Sequence, residues 1–366
     1  MPLLTVEAEK LSNDMLRQGI LENVITSDEV FALLPFLPIN GKAYVYNREN
    51  SLGSASFTDT DDTITESAAT FTKITTTLKR CIGDVDVDDF LEGTMSDAND
   101  QAAVQISKKA KVVGRTYADR LINGDATVNA KEFTGIRGLC ASSQKFTAAV
   151  AGEALSYAHL DRLMDLVKVG NQRVFVMNSR TLRAYFALCR ALGGTDPQHV
   201  AIPGITSQVP TYRGIPILKN DYVPVDQSST GQSLAATSAW TAGAVITLGM
   251  WRKPTVANGY VYVCTTAGTT HSAEPTWGTT PGGTTAEGSG TCVWTCYAAS
   301  MTQIILAGLD ENEGVAGLMA QNQAGIEVKL VGPVQNKDAT RYRVRWYCGL
   351  ALHSELALSL ANGINN

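Results

Sequence analysis

Residues 173–194 read RVFVMNSRTLRAYFALCRALGG. Arg173–Met177 is a short apolar run that suits a buried strand. Asn178 or Ser179 can cap the helix beyond it, which is expected to run through Leu192 and to stop at Gly193-Gly194. Upstream, a helix is expected over Tyr157–Val169. Leu160, Leu163, Met164 and Val167 form its core face, Ser156 caps it and Gly170 ends it. The longest helix is predicted from about Ser96 to Asn123. Ala102, Ile106, Ala110, Val113, Tyr117 and Leu121 recur at gaps of three and four residues, so they form one apolar stripe. Ser96 or Asp97 would cap it and Gly124 would stop it. At ~1.5 Å per residue it spans roughly 40 Å, long for a lone globule.

Two regions of strand character flank this α+β host. AYVYNREN and TFTKITTTLKR, within 42–80, are polar strand-like runs separated by the acidic stretch TDTDDTITES. They read as a two-stranded excursion, which is marginal in water by itself and needs another surface. Near the C-terminus, IEVKLV and TRYRVRWYC flank GPVQNKDA. Arg341, Arg343 and Arg345 alternate there with Tyr342, Val344 and Trp346, so one strand face is cationic and the other apolar.

Residues 237–299 differ from both flanks. This window holds four charged residues, Arg252, Lys253, Glu274 and Glu287, with Trp240, Trp251, Trp277, Trp294 and three cysteines. Short aromatic runs alternate with Gly- and Thr-rich turns, the pattern of a small all-β unit. The polar stretch VDQSSTGQSLAATS precedes it and the apolar strand MTQIILAGLD comes after it. The window therefore reads as a domain inserted into a surface loop.

The chain has 366 residues, 18% of them charged, and a formal net charge of −5. That length suits two or three domains and a sizeable core. The acidic balance excludes a dedicated, tightly gripping nucleic-acid binder. No window approaches a membrane span, and the N-terminus lacks the pattern of a secretory signal. The seven cysteines have scattered spacing and form no disulfide framework. No zinc, phosphate-loop, dinucleotide or nucleophile-elbow motif occurs, so neither an enzymatic role nor a cofactor is expected. The Asp84, Asp86, Asp88, Asp89 run lacks the Gly and distal Glu of a calcium loop and is expected to be a solvated acidic turn. The Arg341/343/345 ladder is open between a partner-facing and a solvent-facing surface. Lys108, Lys111 and Arg115 are expected on the wet face of the long helix. Most rings of residues 237–299 are expected in its core. Cys264 and Cys296 are expected as free, half-buried thiols, with a disulfide between them the alternative.

The order of parts carries a resemblance. A short arm ending in ALLPFLP leads into the polar two-stranded loop and the long helix. GIRGL, the segment RVFVMNSRTLRAYFALCRALGG, YRGIPILKNDYVP and ILAGLDENEGVAGL come next, before a C-terminal hairpin. This resembles the major capsid proteins of tailed bacteriophages, whose fold encapsulins and herpesvirus shells share. The resemblance covers roughly residues 1–234 and 300–366. It implies an N-terminal arm over 1–41 and an extended loop over 42–80 that reaches a neighbouring subunit. A peripheral domain over 81–150 would carry a spine helix at 96–124. Residues 151–236 and 300–366 would form the axial domain and return strands.

The resemblance further implies a subunit that self-assembles into hexamers and pentamers of an icosahedral head around double-stranded DNA. It would assemble in the host cytoplasm and reside in the virion capsid, with a portal as partner and either a separate scaffolding protein or none. An encapsulin-like compartment is the alternative, and a carbohydrate-binding adhesin a more distant one. Arg48, Lys73, Arg341, Arg343 and Arg345 are candidate inter-subunit contacts. Residues 237–299 are similar to a β-module of phage structural proteins that is itself similar to carbohydrate-binding modules. That similarity implies a decoration on the outer face, with Trp240, Trp251, Tyr260 and Trp277 as candidates for stacking on host-surface glycans.

Overall fold

The computed structural model describes residues 29–95, 100–191, 193, 197–202, 205, 208–288, 291–322 and 325–365. Most of the arm, together with Ser96, Asp97, Leu192 and Gly194, lies outside the described residues. The chain forms two compact units. One comprises Pro35–Gly135 and Glu311–Ser354, and the other comprises residues 29–34, Ile136–Asp310 and residues 355–365.

The first unit is built on the 14-residue strand Ala339–Leu352. Its first part is flanked by Glu327–Pro333 on one side and Lys79–Asp88 on the other, both antiparallel. Its last part pairs antiparallel with Val315–Ala320, on which Phe36–Ile39 lies parallel. The long helix, Gln101–Asn123, packs across Lys79–Asp88 and Ala339–Leu352. It starts later than the sequence suggests. Asp100 caps it by accepting from the Ala103 N–H at 2.9 Å. Its 23 residues span about 35 Å. Val113, Tyr117 and Leu121 of the expected stripe are fully buried, whereas Ile106 and Ala110 remain half-buried. Tyr117 anchors the interior, its ring 4.4 Å from Trp346 and 5.4 Å from Phe133. Its hydroxyl donates to the Gly349 carbonyl at 3.3 Å.

The second unit centres on Thr302–Leu309, every residue of which is buried. This strand pairs antiparallel with Leu358–Ile364 and with Gln172–Met177. Gln172–Met177 pairs in parallel with Ile215–Lys219, which closes an antiparallel hairpin with Val209–Tyr212. Arg213 and Gly214, with φ of 48° and 79°, form its two-residue turn. Positive φ at both central positions matches the right-handed strand twist and favours Gly at the second.

The helices Tyr157–Leu166 and Ser179–Ala191 contribute Leu160, Leu163 and Tyr185 to a core with Phe175, Met177, Ile217, Ile304 and Leu306. Ser156 begins the first of them, and its N–H donates to His159 Nδ1 at 3.3 Å, so a histidine takes the usual Glu position of a capping box. This helix ends at Leu166, short of Gly170. Gly170 instead adopts φ +105° where the backbone meets Gly308, and a Cβ there would stand 2.7 Å from the Gly308 Cα. Asn178 caps the second helix by accepting from the Arg180 N–H at 3.0 Å.

Residues 237–299 hold their own strands. Trp251–Arg252, Tyr260–Thr266, Val293–Ala298 and Thr284–Ala286 form a four-stranded antiparallel sheet, and Val245–Ile246 pairs with Gly268–Thr269. Their core gathers Trp240, Ile246, Tyr262, Cys264, Cys292, Trp294 and Cys296. At the stem, Gln227 and Met301 exchange both backbone hydrogen bonds at 2.9 Å.

Candidate functional site

The two polar runs form the expected hairpin. Ala43–Ser51 and Thr70–Thr77 pair antiparallel, with Ala43 opposite Thr77 and Asn47 opposite Lys73. Its root is fastened to the first unit. The Tyr46 hydroxyl donates to the Leu352 carbonyl at 2.6 Å, and Arg48 donates to the His353 and Leu352 carbonyls at 2.9 and 2.7 Å. Tyr44 Oη lies 3.2 Å from His353 Nε2. Burial raises the Tyr46 phenol above its ordinary value, against the opposite pull of the Arg48 guanidinium.

The far end contrasts with this root. Ser54 and Ser67 exchange hydrogen bonds at 2.7 and 2.9 Å, which carries the ribbon outward. Every residue from 52 to 69 is exposed, including Leu52, Phe57 and Ile64. Lys73 is exposed on the returning strand. A ribbon with apolar side chains at a bare tip gains little by folding alone, so it is a surface suited to a partner.

The acidic run is not a turn. Asp84 and Asp86 lie on Lys79–Asp88, directly opposite Arg343 and Arg341. Arg341 grips both Asp86 oxygens at 2.6 and 2.8 Å, and Arg343 grips both Asp84 oxygens at 2.8 Å. Arg345 pairs with Glu327 at 2.9 Å. The cationic ladder and the acidic run are thus two halves of one cross-strand array. Hydrogen bonding to the facing guanidinium holds each Asp carboxyl below its ordinary pKa. Asp88 closes the strand by accepting from the Phe90 and Leu91 N–H groups, capping the helix Asp89–Met95.

In residues 237–299, a residue that sequence reasoning left aside organises the rings. Glu287 is 1% exposed. Its Oε1 accepts from the indole N–H of Trp240 at 2.8 Å and of Trp294 at 2.7 Å, and its Oε2 accepts from the His271 backbone N–H at 2.7 Å. A Glu among the four charged residues of a Trp-rich window was the signal that could have found it. Trp240 is therefore removed from the sugar-stacking set, because its ring is buried and its N–H points inward. Trp277 packs 4.2 Å from Tyr262 and donates to Glu274, leaving it half-buried. Trp251 lies 5.5 Å from Tyr297, and Tyr260, half-buried at the start of the inner strand Tyr260–Thr266, packs against the core. Trp240 belongs to the core of these strands, and Tyr260 and Trp277 pack against that same core.

The cysteine expectation also changes. Cys264 stands opposite Trp294 and Cys296 opposite Tyr262, so the two thiols do not face each other. Both are free and fully buried rather than half-buried. Burial pushes both thiols up, which keeps them protonated and unreactive.

No protein-family model matches the chain, and no curated protein matches it in sequence. Its fold is nevertheless that of shell-forming proteins, the tailed-phage major capsid proteins and the encapsulins. The encapsulin of the holo-SrpI complex from Synechococcus elongatus is similar at a TM-score of 0.62 and 19% identity, covering 100% of this chain and 97% of that one. The capsid protein of the empty GTA particle is similar at 0.59 and 13% identity, covering 97% and 96%. The capsid protein of cyanophage A-1(L) is similar at 0.56 and 11% identity, covering 96% and 98%.

Proposed function

We propose that this chain is a major capsid protein, the repeating subunit of an icosahedral head that encloses the double-stranded DNA of a tailed phage. The observation that carries this reading is the end-to-end match of the whole fold to capsid subunits. The bare loop tip and the half-buried upper stripe of the long helix fit it, because both are surfaces a neighbouring copy would cover. Assembly proceeds by mutual burial of such surfaces in closed, symmetric rings of six and five. Lys73 and the outer edges of the Arg341, Arg343 and Arg345 pairs are available to neighbouring subunits. A portal, a scaffolding protein and DNA held without sequence specificity complete the set of partners, and the chain performs no catalysis. Residues 237–299 serve as a decoration domain on the outer face, with Trp251, Tyr260 and Trp277 the remaining candidates for glycan contact. Electron microscopy of the purified chain, alone and with its neighbouring gene products, tests the reading. Closed particles containing DNA support it, and a monomer under every condition would sink it.

A second reading, an encapsulin-like compartment, draws on the match to the Synechococcus shell protein. Particle contents separate the two: nucleic acid supports the phage head, a single loaded protein the compartment.

A further inference from the structure

We propose that a cavity of about 220 Å³ at the end of the long helix is a binding site for a small polyphosphate anion. It lies wholly within the first unit, where three elements meet. The strand Lys79–Asp88 supplies Lys79, Arg80 and Cys81, the helix supplies Arg120, and the segment beyond it supplies Lys131 and Glu132. Cys81 stands opposite Trp346, and Lys79 opposite Cys348. Residues two apart share one face of a strand, so these four side chains project together. The Trp346 ring packs 4.4 Å from that of Tyr117, so this is the face that the helix covers. The Lys79 ammonium donates to the Ala130 carbonyl at 2.7 Å, next to Lys131.

Positive charge is in excess here. Four lining residues are cations and one is a carboxylate. Glu132 is already engaged, with Oε1 accepting from the Asn129 amide at 2.7 Å and Oε2 lying 3.2 Å from Arg120 Nε. Asp119 gives Arg120 a second acidic neighbour at 3.6 Å. Lys79, Arg80 and Lys131 have no ion-pair partner among the described residues. Arg120 Nε is buried and makes no hydrogen bond, a donor that an acceptor oxygen in the cavity would satisfy. Cys81 and Cys348 also line the cavity. Burial pushes both thiols up, so they stay neutral and offset none of the positive charge.

Shape and charge select the ligand. Pockets for drug-sized molecules hold about 300–1,000 Å³, so this one suits an anion of a few heavy atoms. Its cations come from a strand, a helix and a loop, and acceptor oxygens are needed in several directions at once. A planar carboxylate matches one guanidinium fork, whereas tetrahedral phosphate groups also serve ammonium ions as point charges. A bound polyphosphate would tie the end of the long helix and the Lys131 segment to the strand that continues from the ribbon. The site draws on one subunit alone, so it is independent of the capsid reading.

The test uses the full chain and tripolyphosphate at matched ionic strength. Tripolyphosphate should raise the melting temperature and slow alkylation of Cys81 by N-ethylmaleimide at least fivefold. Cys189, half-buried in the other unit, should react at an unchanged rate. Lys79→Gln with Lys131→Gln should weaken binding at least tenfold, with the ligand-free melt unchanged. Lys108→Ala with Lys329→Ala removes two exposed cations elsewhere and should leave binding intact. Should the cavity variant fail to fold, protection of Cys81 in the unaltered chain still decides. Unprotected Cys81, or equal affinity in the cavity variant, would overturn the site and reduce any binding to general surface attraction. Citrate that protects Cys81 better than tripolyphosphate would overturn the phosphate assignment. A single-stranded oligonucleotide that protects it at a lower phosphate concentration would replace the small anion with nucleic acid.

Discussion

Arg341 and Asp86 stand directly opposite each other on adjacent antiparallel strands, their side chains joined by two hydrogen bonds of 2.6 and 2.8 Å. Asp86 is only 5% exposed, and that guanidinium is the largest influence holding it charged. Arg341→Ala would leave a buried carboxylate without its partner, a costlier change than removing both groups together. The neighbouring pair Asp84–Arg343 is more open to water, and screening weakens it. Thermal melts should show a larger loss for Arg341→Ala than for Arg343→Ala. Arg341→Met combined with Asp86→Leu should recover most of the loss.

The same array sets an acid limit. The folded-state pKa values of Asp84 and Asp86 lie below the ordinary 3.8. Their stabilisation is therefore complete above the unfolded value and is lost as pH falls through the lower folded values. Stability should be level in this respect between about pH 5 and 7 and should decline below about pH 4. In a pH series of melts, Asp84→Asn with Asp86→Asn should start lower at neutral pH and show a shallower acid decline. A decline as steep as that of the unaltered chain would assign the acid limit to other groups.

Glu287 should govern residues 237–299. Glu287→Gln keeps one carbonyl oxygen for the two indoles but turns an amide donor toward the His271 N–H, which then lacks an acceptor. An unsatisfied buried donor costs about 1–3 kcal/mol. Glu287→Ala orphans all three donors and leaves a void, so it should unfold these strands locally. Both changes should appear as red-shifted tryptophan emission from Trp240 and Trp294. Assembly should persist if this domain is a decoration.

Short-range pattern was legible in the sequence where one element decides it. The stripe of Val113, Tyr117 and Leu121 marked the long helix, and the alternation in AYVYNREN marked the ribbon, because both depend on residues a few positions apart. The parts that were not legible depend on register. Arg343 and Asp84 are separated by 259 positions, and Arg341 and Asp86 by 255. Each run read alone looked like an exposed surface, since nothing local says which strands become neighbours. The helix start was misplaced for a related reason. Ser96, Asp97 and Asp100 are all competent caps, and only the packed helix selects the Asp100 carboxylate that meets the Ala103 N–H. Arg48 was singled out as a contact between copies, yet its hydrogen bonds run to a backbone turn some 300 residues away in its own chain.

That turn should set how firmly the loop is held. Arg48 holds the His353 and Leu352 carbonyls, and its removal should loosen the root of the ribbon without touching either core. Charge-assisted hydrogen bonds of this exposure contribute about 1–2 kcal/mol. Arg48→Ala should therefore speed hydrogen exchange across Ala43–Ser51 and Thr70–Thr77 several-fold, with little change in the global melt. Particle yield should fall, because a loop that is less ordered before docking has more entropy to lose on binding.

Residues 237–299 join the rest of the chain through a braced stem. Gln227 and Met301 are locked by two backbone hydrogen bonds, and Thr302 Oγ1 donates to the Pro224 carbonyl at 2.9 Å. On the leading side, Asp226 accepts from the Ser233 hydroxyl at 2.6 Å and from the Ala235 N–H at 3.0 Å, so the chain returns to the stem just before Thr237. Arg137 braces the same place, donating to Gln227 at 2.6 Å, to Gln303 at 2.5 Å and to the Gly231 carbonyl at 3.2 Å. Both ends of the window are thus fastened by residues outside it. Replacing residues 237–299 with a short Gly-Ser turn should leave a soluble chain that still forms particles, because closing two ends held together costs little entropy. Insoluble or assembly-dead protein would show that these strands are integral to the subunit rather than carried on it.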